Sequence, residues 1–334
     1  LPYKPPKKKQ AQKKSTPKRT SLSPLAPKPP VQKQFAQNSE RLVNEARGLK
    51  LKKSYSQNFL VNEAFLTRMV ETMELEAGDP VLEIGPGAGF LTEKLLERGA
   101  NVTSVELDPD MVRHLSRKWA GRARFTLVHQ DILKFDLAHF LSEQAALNPK
   151  PVKIIGNLPY NITSSILFHL LGELDAPAVS WRGQVPWIGL MVQKEVGERI
   201  TAKPSTKGYN PLSIAVQFWY EPKLELSIPA KCFYPPPKVD SVMVSIRPRT
   251  EAAFSVQNIE KFDKMIRSAF SQRRKTLKNS LTGTSFCTPE ALQNALLQLS
   301  ETEWAIAPES RAEALSISQL GALCNAFDQN PGQG

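Results

Sequence analysis

The chain is poor in the residues that build metal and redox centres. Its three cysteines, Cys232, Cys287 and Cys324, lie far apart with no C-x-x-C spacing. That argues against a disulfide framework and points to a reducing compartment. Four histidines, His114, His129, His139 and His169, form no ligand cluster, so no metal is expected. No run of about 18 apolar residues occurs, so neither a transmembrane helix nor a membrane partner is expected. Acidic side chains are missing from the start of the chain, where Glu40 is the first.

Ten cationic residues precede that glutamate: Lys4, Lys7, Lys8, Lys9, Lys13, Lys14, Lys18, Arg19, Lys28 and Lys33. Taking these ten from the net charge of +12 leaves the remainder near +2. A basic tail attracts phosphate in a sequence-independent, salt-sensitive way. The plain alternative is a solvated charge run. Residues 1–40 are rich in Lys, Pro, Ser and Gln, and bury too little to offset ordering entropy. They are expected to be disordered. They lack the apolar core of a signal peptide and carry too much proline for an amphipathic transit helix. A cytoplasmic location is expected, with an organellar one left open.

A length of 334 residues suits two domains. Residues 41–250 alternate between helix and strand patterns. Phe65, Met69, Val70 and Met73 recur at helical spacing behind Asn62, a suitable N-cap. Strands are expected at Pro80–Ile84, Val102–Glu106, Phe125–Val128 and Val152–Ile155, with others near 187–193, 213–220 and 240–247. A helix carries Leu91, Leu95 and Leu96, and another carries Ile166, Leu167, Leu170 and Leu171. This β-α-β order implies an α/β fold, a mostly parallel sheet with helices on both faces. Residues 251–334 show only helical patterns. Phe262, Ile266 and Phe270 mark one helix, Leu292, Leu296 and Leu299 follow the start Thr288-Pro289-Glu290, and Leu320, Leu323, Cys324 and Phe327 mark the last.

Gly85-Pro86-Gly87-Ala88-Gly89 joins the first long strand to a helix, where glycines let the backbone approach a ligand. Glu106 ends the next strand, where doubly wound folds place an acid on ribose hydroxyls. The dinucleotide fingerprint G-x-G-x-x-G needs glycine at 90, but Phe90 stands there. The spelling G-x-G-x-G fits S-adenosylmethionine enzymes, whose cofactor has no pyrophosphate to seat. Asp131, just beyond the third strand, is placed to accept from the adenine amino group. Its plain alternative is a turn acid, as that of Glu106 is a surface strand end.

A further strand runs into Asn157-Leu158-Pro159-Tyr160. The Asn oxygen and a nearby carbonyl can accept two hydrogen bonds from a planar amine. Pro159 fixes the turn, and Tyr160 offers a ring for stacking. Beside a nucleotide-type cofactor loop, this pattern points to methyl transfer onto the amino group of a base.

Seven motifs occur in order: Gln57-Asn58-Phe59-Leu60, Glu83-Ile84-Gly85-Pro86-Gly87, Glu106-Leu107-Asp108, Asn157-Leu158-Pro159-Tyr160-Asn161-Ile162, Gln193-Lys194-Glu195-Val196, Pro235-Pro236-Pro237-Lys238-Val239-Asp240-Ser241 and Gln272-Arg273-Arg274-Lys275-Thr276. Over about residues 50–327 the chain resembles the small-subunit ribosomal RNA adenine dimethyltransferases (KsgA type). The resemblance implies a Rossmann-like class I S-adenosylmethionine-dependent methyltransferase sheet with a small all-helical C-terminal domain. It implies a cofactor held by Asn58, Leu60, Gly85, Gly87, Glu106, Leu107, Asp131, Ile132 and Asn157. It places Asn157, Leu158, Pro159, Tyr160 and Phe233 around the target adenine, with Tyr160 and Phe233 on its two faces. For Phe233 the plain alternative is core packing. Arg267, Arg273, Arg274, Lys275 and Lys278 are read as contacts to RNA phosphates, or else as a solvated helix face. The implied partner is small-subunit ribosomal RNA or a pre-ribosomal particle, met by a monomer.

Ser56 stands where that family usually has glycine, a spelling shared with large-subunit, antibiotic-resistance adenine methyltransferases. Large-subunit methylation therefore stays open as an alternative. So does a non-catalytic RNA-binding assembly or transcription factor on the same fold. DNA adenine methylation is weaker, since no separate base-reading segment is evident.

Overall fold

The computed structural model describes residues 29–50, 57–175, 181–272 and 274–328; of residues 29–33 only the helical backbone is described. Helix α1 (Pro29–Arg47) comes first. It contradicts the expected disorder of residues 29–40. Leu42 and Ala46 are fully buried, and Asn38 and Ser39 both bond to Glu63, so the helix has a docking surface that composition hides. The tail before residue 29 lies outside the described residues.

Next come β1 (Phe59–Leu60), α2 (Glu63–Glu71), β2 (Pro80–Ile84), α3 (Phe90–Glu97), β3 (Asn101–Glu106), α4 (Pro109–Lys118), β4 (Phe125–His129), α5 (Leu137–Leu147), β5 (Lys153–Asn157), α6 (Thr163–Leu171) and β6 (Ile188–Gln193). Asn62 caps α2 by accepting from the Phe65 amide. Side chains alternate across the sheet. Val81 and Ile155 join a core with α1 to α4, whereas Leu82, Ile84 and Ile154 join a second core with α5 and α6. Both faces are thus covered, as the near-continuous apolar strands require.

After α7 (Lys194–Ile200), the chain departs from the expected strand at 213–220. Residues Pro211–Trp219 form helix α8, and strand β7 (Tyr220–Ile228) starts only behind it. The local cause is a capping box. The Asn210 side chain accepts from the Leu212 and Ser213 amides, Ser213 Oγ accepts from the Asn210 amide, and Pro211 stands at the first helical position. Ile214 and Phe218 face the C-terminal helices while Val216 faces the sheet. A helix buried on two sides shows no amphipathic period, so its apolar run reads like a strand.

Strands β8 (Phe233–Tyr234) and β9 (Ser241–Pro248) complete the set among the described residues. The main sheet has seven strands in the order β4-β3-β2-β5-β6-β9-β7. Strands β4, β3, β2, β5 and β6 are parallel; β9 pairs antiparallel to β6, and β7 pairs antiparallel to β9 at the edge. The sequence winds outward from β2 through β3 to β4, then restarts on the other side with β5. That reversal lies between β2 and β5, the topological switch point where such sheets bind ligands. Helices α9 (Ile259–Ala269), α10 (Leu277–Gly283), α11 (Pro289–Leu299) and α12 (Ile317–Asp328) pack around a third core that also takes Tyr209, Ile214 and Phe218. Among them α10 was not foreseen, because its seven residues are too short to show a period.

Candidate active site at the carboxyl edge of the sheet

The parallel strands end together, so the segments following β2, β3, β4 and β5 meet at one edge. They line a cavity of about 310 Å³ with residues 57–60 as a further wall. Every residue assigned above to the cofactor lines it: Asn58, Leu60, Gly85, Gly87, Glu106, Leu107, Asp131, Ile132 and Asn157. Leu158, Pro159 and Tyr160 line it too.

The glycine turn sits against the ring of Phe59. Gly87 has φ +55°, and a Cβ there would stand 2.7 Å from Phe59 Cε1. Only glycine accommodates both the backbone conformation and the approach. Its N–H donates to Glu106 Oε2 at 3.0 Å. Glu106 Oε1 accepts from the amides of Leu107 and Asp108, both at 2.8 Å. Three of the four lone-pair positions on this carboxylate are thereby used, and one on Oε2 remains for a ligand hydroxyl. Burial pushes the Glu106 carboxyl above its ordinary pKa, against the pull of those three N–H groups.

Asp131 caps a short 3-10 turn, its Oδ1 accepting from the Leu133 amide at 3.0 Å. The turn-acid alternative is therefore real. It engages one oxygen and leaves Asp131 in the cavity wall. Leu107 and Ile132 add apolar surface beside it. These residues fit S-adenosylmethionine: an acceptor on Glu106 for a ribose hydroxyl, one on Asp131 for an amine, and apolar faces on Leu107 and Ile132 for a purine.

At the far side, β5 delivers Asn157 next to the cavity. Its Nδ2 donates to the Asn58 carbonyl at 3.0 Å, which leaves Oδ1 as the acceptor. The Leu158 side chain is buried in the second core, and its N–H donates to the Met191 carbonyl at 3.1 Å. Tyr160 OH lies 2.7 Å from Ser241 Oγ, which fixes the ring at the rim; burial raises its pKa, so the phenol stays neutral.

Phe233 differs from expectation. It is 3 % exposed, packs in the first core and does not line the cavity. Its backbone pairs with Leu60 in the β1–β8 ribbon, so the core-packing alternative describes its ring here. Arg267 also differs. Its guanidinium is held by Asp263 at 2.5 Å within α9 and by Glu173 at 3.3 Å just beyond α6, so it is not a free cation. Arg274, Lys275 and Lys278 are exposed at the corner between α9 and α10, while Arg273 lies outside the described residues.

Two residues of the quoted motifs were given no role beforehand. Glu83 is fully buried below the glycine turn. Its Oε2 accepts from Thr92 and Ser104 hydroxyls at 2.6 and 2.7 Å, and its Oε1 has no partner. Burial pushes its carboxyl up to about 7. Gln57 bonds to Asp108 at 2.7 Å. An acid within an apolar strand was the available signal for Glu83, whereas nothing in the sequence pairs Gln57 with Asp108. Among the described residues no group of three or more His, Cys, Asp or Glu gathers as a metal site, and no helix is long and apolar enough to cross a membrane.

Comparison with known proteins bears on this geometry. A family model described as ribosomal RNA adenine dimethylase matches residues 48–329. Ribosomal RNA small subunit methyltransferase A of Latilactobacillus sakei is 40 % identical over 284 residues, covering 85 % of this chain and 92 % of that protein. Its namesake from Streptococcus pneumoniae (strain 70585) is 39 % identical over 288 residues, covering 86 % and 95 %. Among solved structures, the 23S rRNA methyltransferase ErmE is 26 % identical with a TM-score of 0.60, over 81 % of this chain and 100 % of that one. A dimethyladenosine transferase from Plasmodium falciparum has the same TM-score at 24 % identity, over 80 % and 96 %, and shares the fold. With the family model spanning most of its length and the glycine turn, Glu106 and Asn157 converging on one cavity, the chain belongs to the ribosomal RNA adenine dimethylase family of methyltransferases.

Proposed function

We propose that this protein transfers methyl groups from S-adenosylmethionine to the exocyclic amines of two adjacent adenosines near the 3′ end of small-subunit ribosomal RNA, giving N6-dimethyladenosines during ribosome maturation. The observation that carries this reading is the Asn157–Asn58 hydrogen bond. It commits the amide nitrogen inward and leaves an oxygen, not a donor, for the target.

An adenine amine donates two hydrogen bonds, and its lone pair is delocalised into the ring. The Asn157 Oδ1 and the Leu158 carbonyl are its proposed acceptors. Two acceptors on one side favour a pyramidal nitrogen whose lone pair points away from them. S-adenosylmethionine supplies an electrophilic methyl on a positively charged sulfur. Glu106 is proposed to hold its ribose, Asp131, Leu107 and Ile132 its adenine, and Gly85, Gly87, Asn58 and Leu60 the remainder. Orientation of reacting groups lowers barriers by up to ~7–11 kcal/mol in the best cases. No titrating base is required, because the ammonium product loses its proton readily to water. The first product retains one N–H, so a second transfer follows on a second cofactor molecule.

A duplex base cannot enter this cavity, so the target is unpaired or turned out of its stack. Tyr160 offers the ring surface, and stacking on one ring contributes about 1–3 kcal/mol. Stacking on Phe233 as well would require the β8 segment to uncover it. Arg274, Lys275 and Lys278 are the proposed phosphate contacts, the partner is the small subunit or its precursor, and the protein acts as a monomer. The compartment proposed is the cytoplasm, with an organelle as the alternative.

The test is methyl transfer from labelled cofactor to isolated unmodified small and large subunits, with the products mapped by mass spectrometry. Two neighbouring dimethyladenosines in small-subunit RNA are expected. Label confined to large-subunit RNA would establish the antibiotic-resistance alternative. Cofactor binding without transfer to either would establish a non-catalytic role.

A further inference from the structure

Gln57 and Asn58 are adjacent, yet they bond to opposite walls of the cavity. Gln57 Nε2 donates to Asp108 Oδ2 at 2.7 Å, on the turn after β3. Asn58 accepts from Asn157 at the end of β5. Strand β2 lies between those two strands, so residues 57–58 bridge the carboxyl tip of β2.

Asp108 is well placed as an anchor. It is fully buried; its Oδ1 accepts from the Asp110 amide and caps α4, and its N–H donates to Glu106. The segment it holds has little other regular structure. Strand β1 is two residues long and pairs only with the two-residue β8. Ribbons that short are marginal by themselves; burial of the Phe59 and Leu60 side chains anchors the apolar end of residues 57–60, and the bond that Gln57 donates to a fixed, buried carboxylate anchors the polar end over the cavity.

We propose that Gln57 is a positioning residue for cofactor binding: through Asp108 it holds residues 57–60 across the cavity, between the Glu106 turn and the Asn157 amide. The proposal rests on the reading that S-adenosylmethionine occupies this cavity. It assigns Gln57 no contact with the reacting atoms. The same bond links cofactor binding to the target side, because the Asn58 carbonyl that orients Asn157 is the next residue.

The experiment uses the full chain and S-adenosylhomocysteine as the probe, measured by calorimetry. The proteins are wild type, Gln57→Leu, Gln57→Glu, and Gln57→Glu with Asp108→Asn. In Gln57→Glu two carboxylates face each other, and binding weakens about tenfold, the loss expected for one hydrogen bond to a charged group. Gln57→Leu shows a similar loss. In the double variant the new Asn Nδ2 donates to the new Glu while its Oδ1 still caps α4, and affinity returns to within about threefold of wild type. Amide exchange over residues 57–60, measured without ligand, speeds up in both single variants and recovers in the double. Wild-type affinity in Gln57→Leu and Gln57→Glu overturns the proposal. So does a double variant that melts like wild type yet stays weak. Failure of the wild type itself to bind the probe overturns the cofactor reading, and is distinguishable from both.

Discussion

The Asn157 side chain and the Asn58 main chain, 99 residues apart, meet in a 3.0 Å hydrogen bond at the cavity wall. That bond selects which end of the amide faces a substrate. Asparagine is nearly symmetric in shape but not in chemistry, so a flipped amide would present donors to an amine and repel it.

Replacing Asn157 by alanine is therefore expected to lower kcat by about a hundredfold or more, the scale of loss when a reacting group is misplaced by about 1 Å. Binding of S-adenosylhomocysteine changes less, because Glu106 and the glycine turn remain. Single-turnover transfer beside calorimetry separates the two. Near-normal turnover would remove Asn157 from the mechanism.

Glu106→Gln keeps an acceptor for some of the three main-chain amides but places an NH2 where the other oxygen stood. Cofactor affinity is expected to fall about tenfold or more, with kcat at saturating cofactor changed less. An unchanged dissociation constant would reject the ribose role.

Glu83 carries a pH signature. Its carboxyl is raised from 4.5 to about 7 by burial, so the folded protein holds a proton there that the unfolded chain releases. The sign is that of a raised group: the protonated carboxyl favours the fold fully below pH 4.5, and this advantage is lost as pH rises to about 7. The penalty above that pH is on the order of 3 kcal/mol. Glu83→Gln is expected to flatten the fall in stability between pH 5 and 8. Denaturant melts of both proteins across that range measure it, and parallel curves would refute it.

Helix α1 supplies a stability test. Glu45 is also affected by burial, which raises its pKa, but the Lys118 ammonium, bonded at 2.7 Å, and the His114 ring 3.6 Å away outweigh this and lower it to about 2. Its contribution is present above pH 4.5 and lost as pH falls toward 2. Removing residues 1–28 is expected to leave the melting temperature unchanged. Removing residues 1–47 takes away Leu42, Ala46 and the Glu45–Lys118 pair, and costs on the order of 3 kcal/mol. Equal melting of the two truncations would show that α1 adds nothing to the fold.

On RNA, Lys275→Ala and Arg274→Ala are each expected to reduce the salt slope of binding by about one. Arg267→Ala changes it less, since Asp263 and Glu173 already neutralise that side chain. A larger effect at Arg267 would mean the ion pairs open on binding.

The sequence by itself determined the parallel sheet, the glycine turn with Glu106 behind it, and the strand running into Asn157. Those features are local: apolar runs of strand length, glycine where φ is positive, and strand ends that parallel topology must bring to one edge. It misread 213–220, because a helix buried against both the sheet and the C-terminal helices loses the amphipathic period by which helices are recognised. It missed the docking of α1, whose few apolar residues count only once a groove exists to receive Leu42 and Ala46. Tertiary structure alone decided that Phe233 is covered, that Arg267 is neutralised, and that Gln57 reaches Asp108. Each outcome depends on partners distant along the chain, whose proximity is set by packing rather than by spacing.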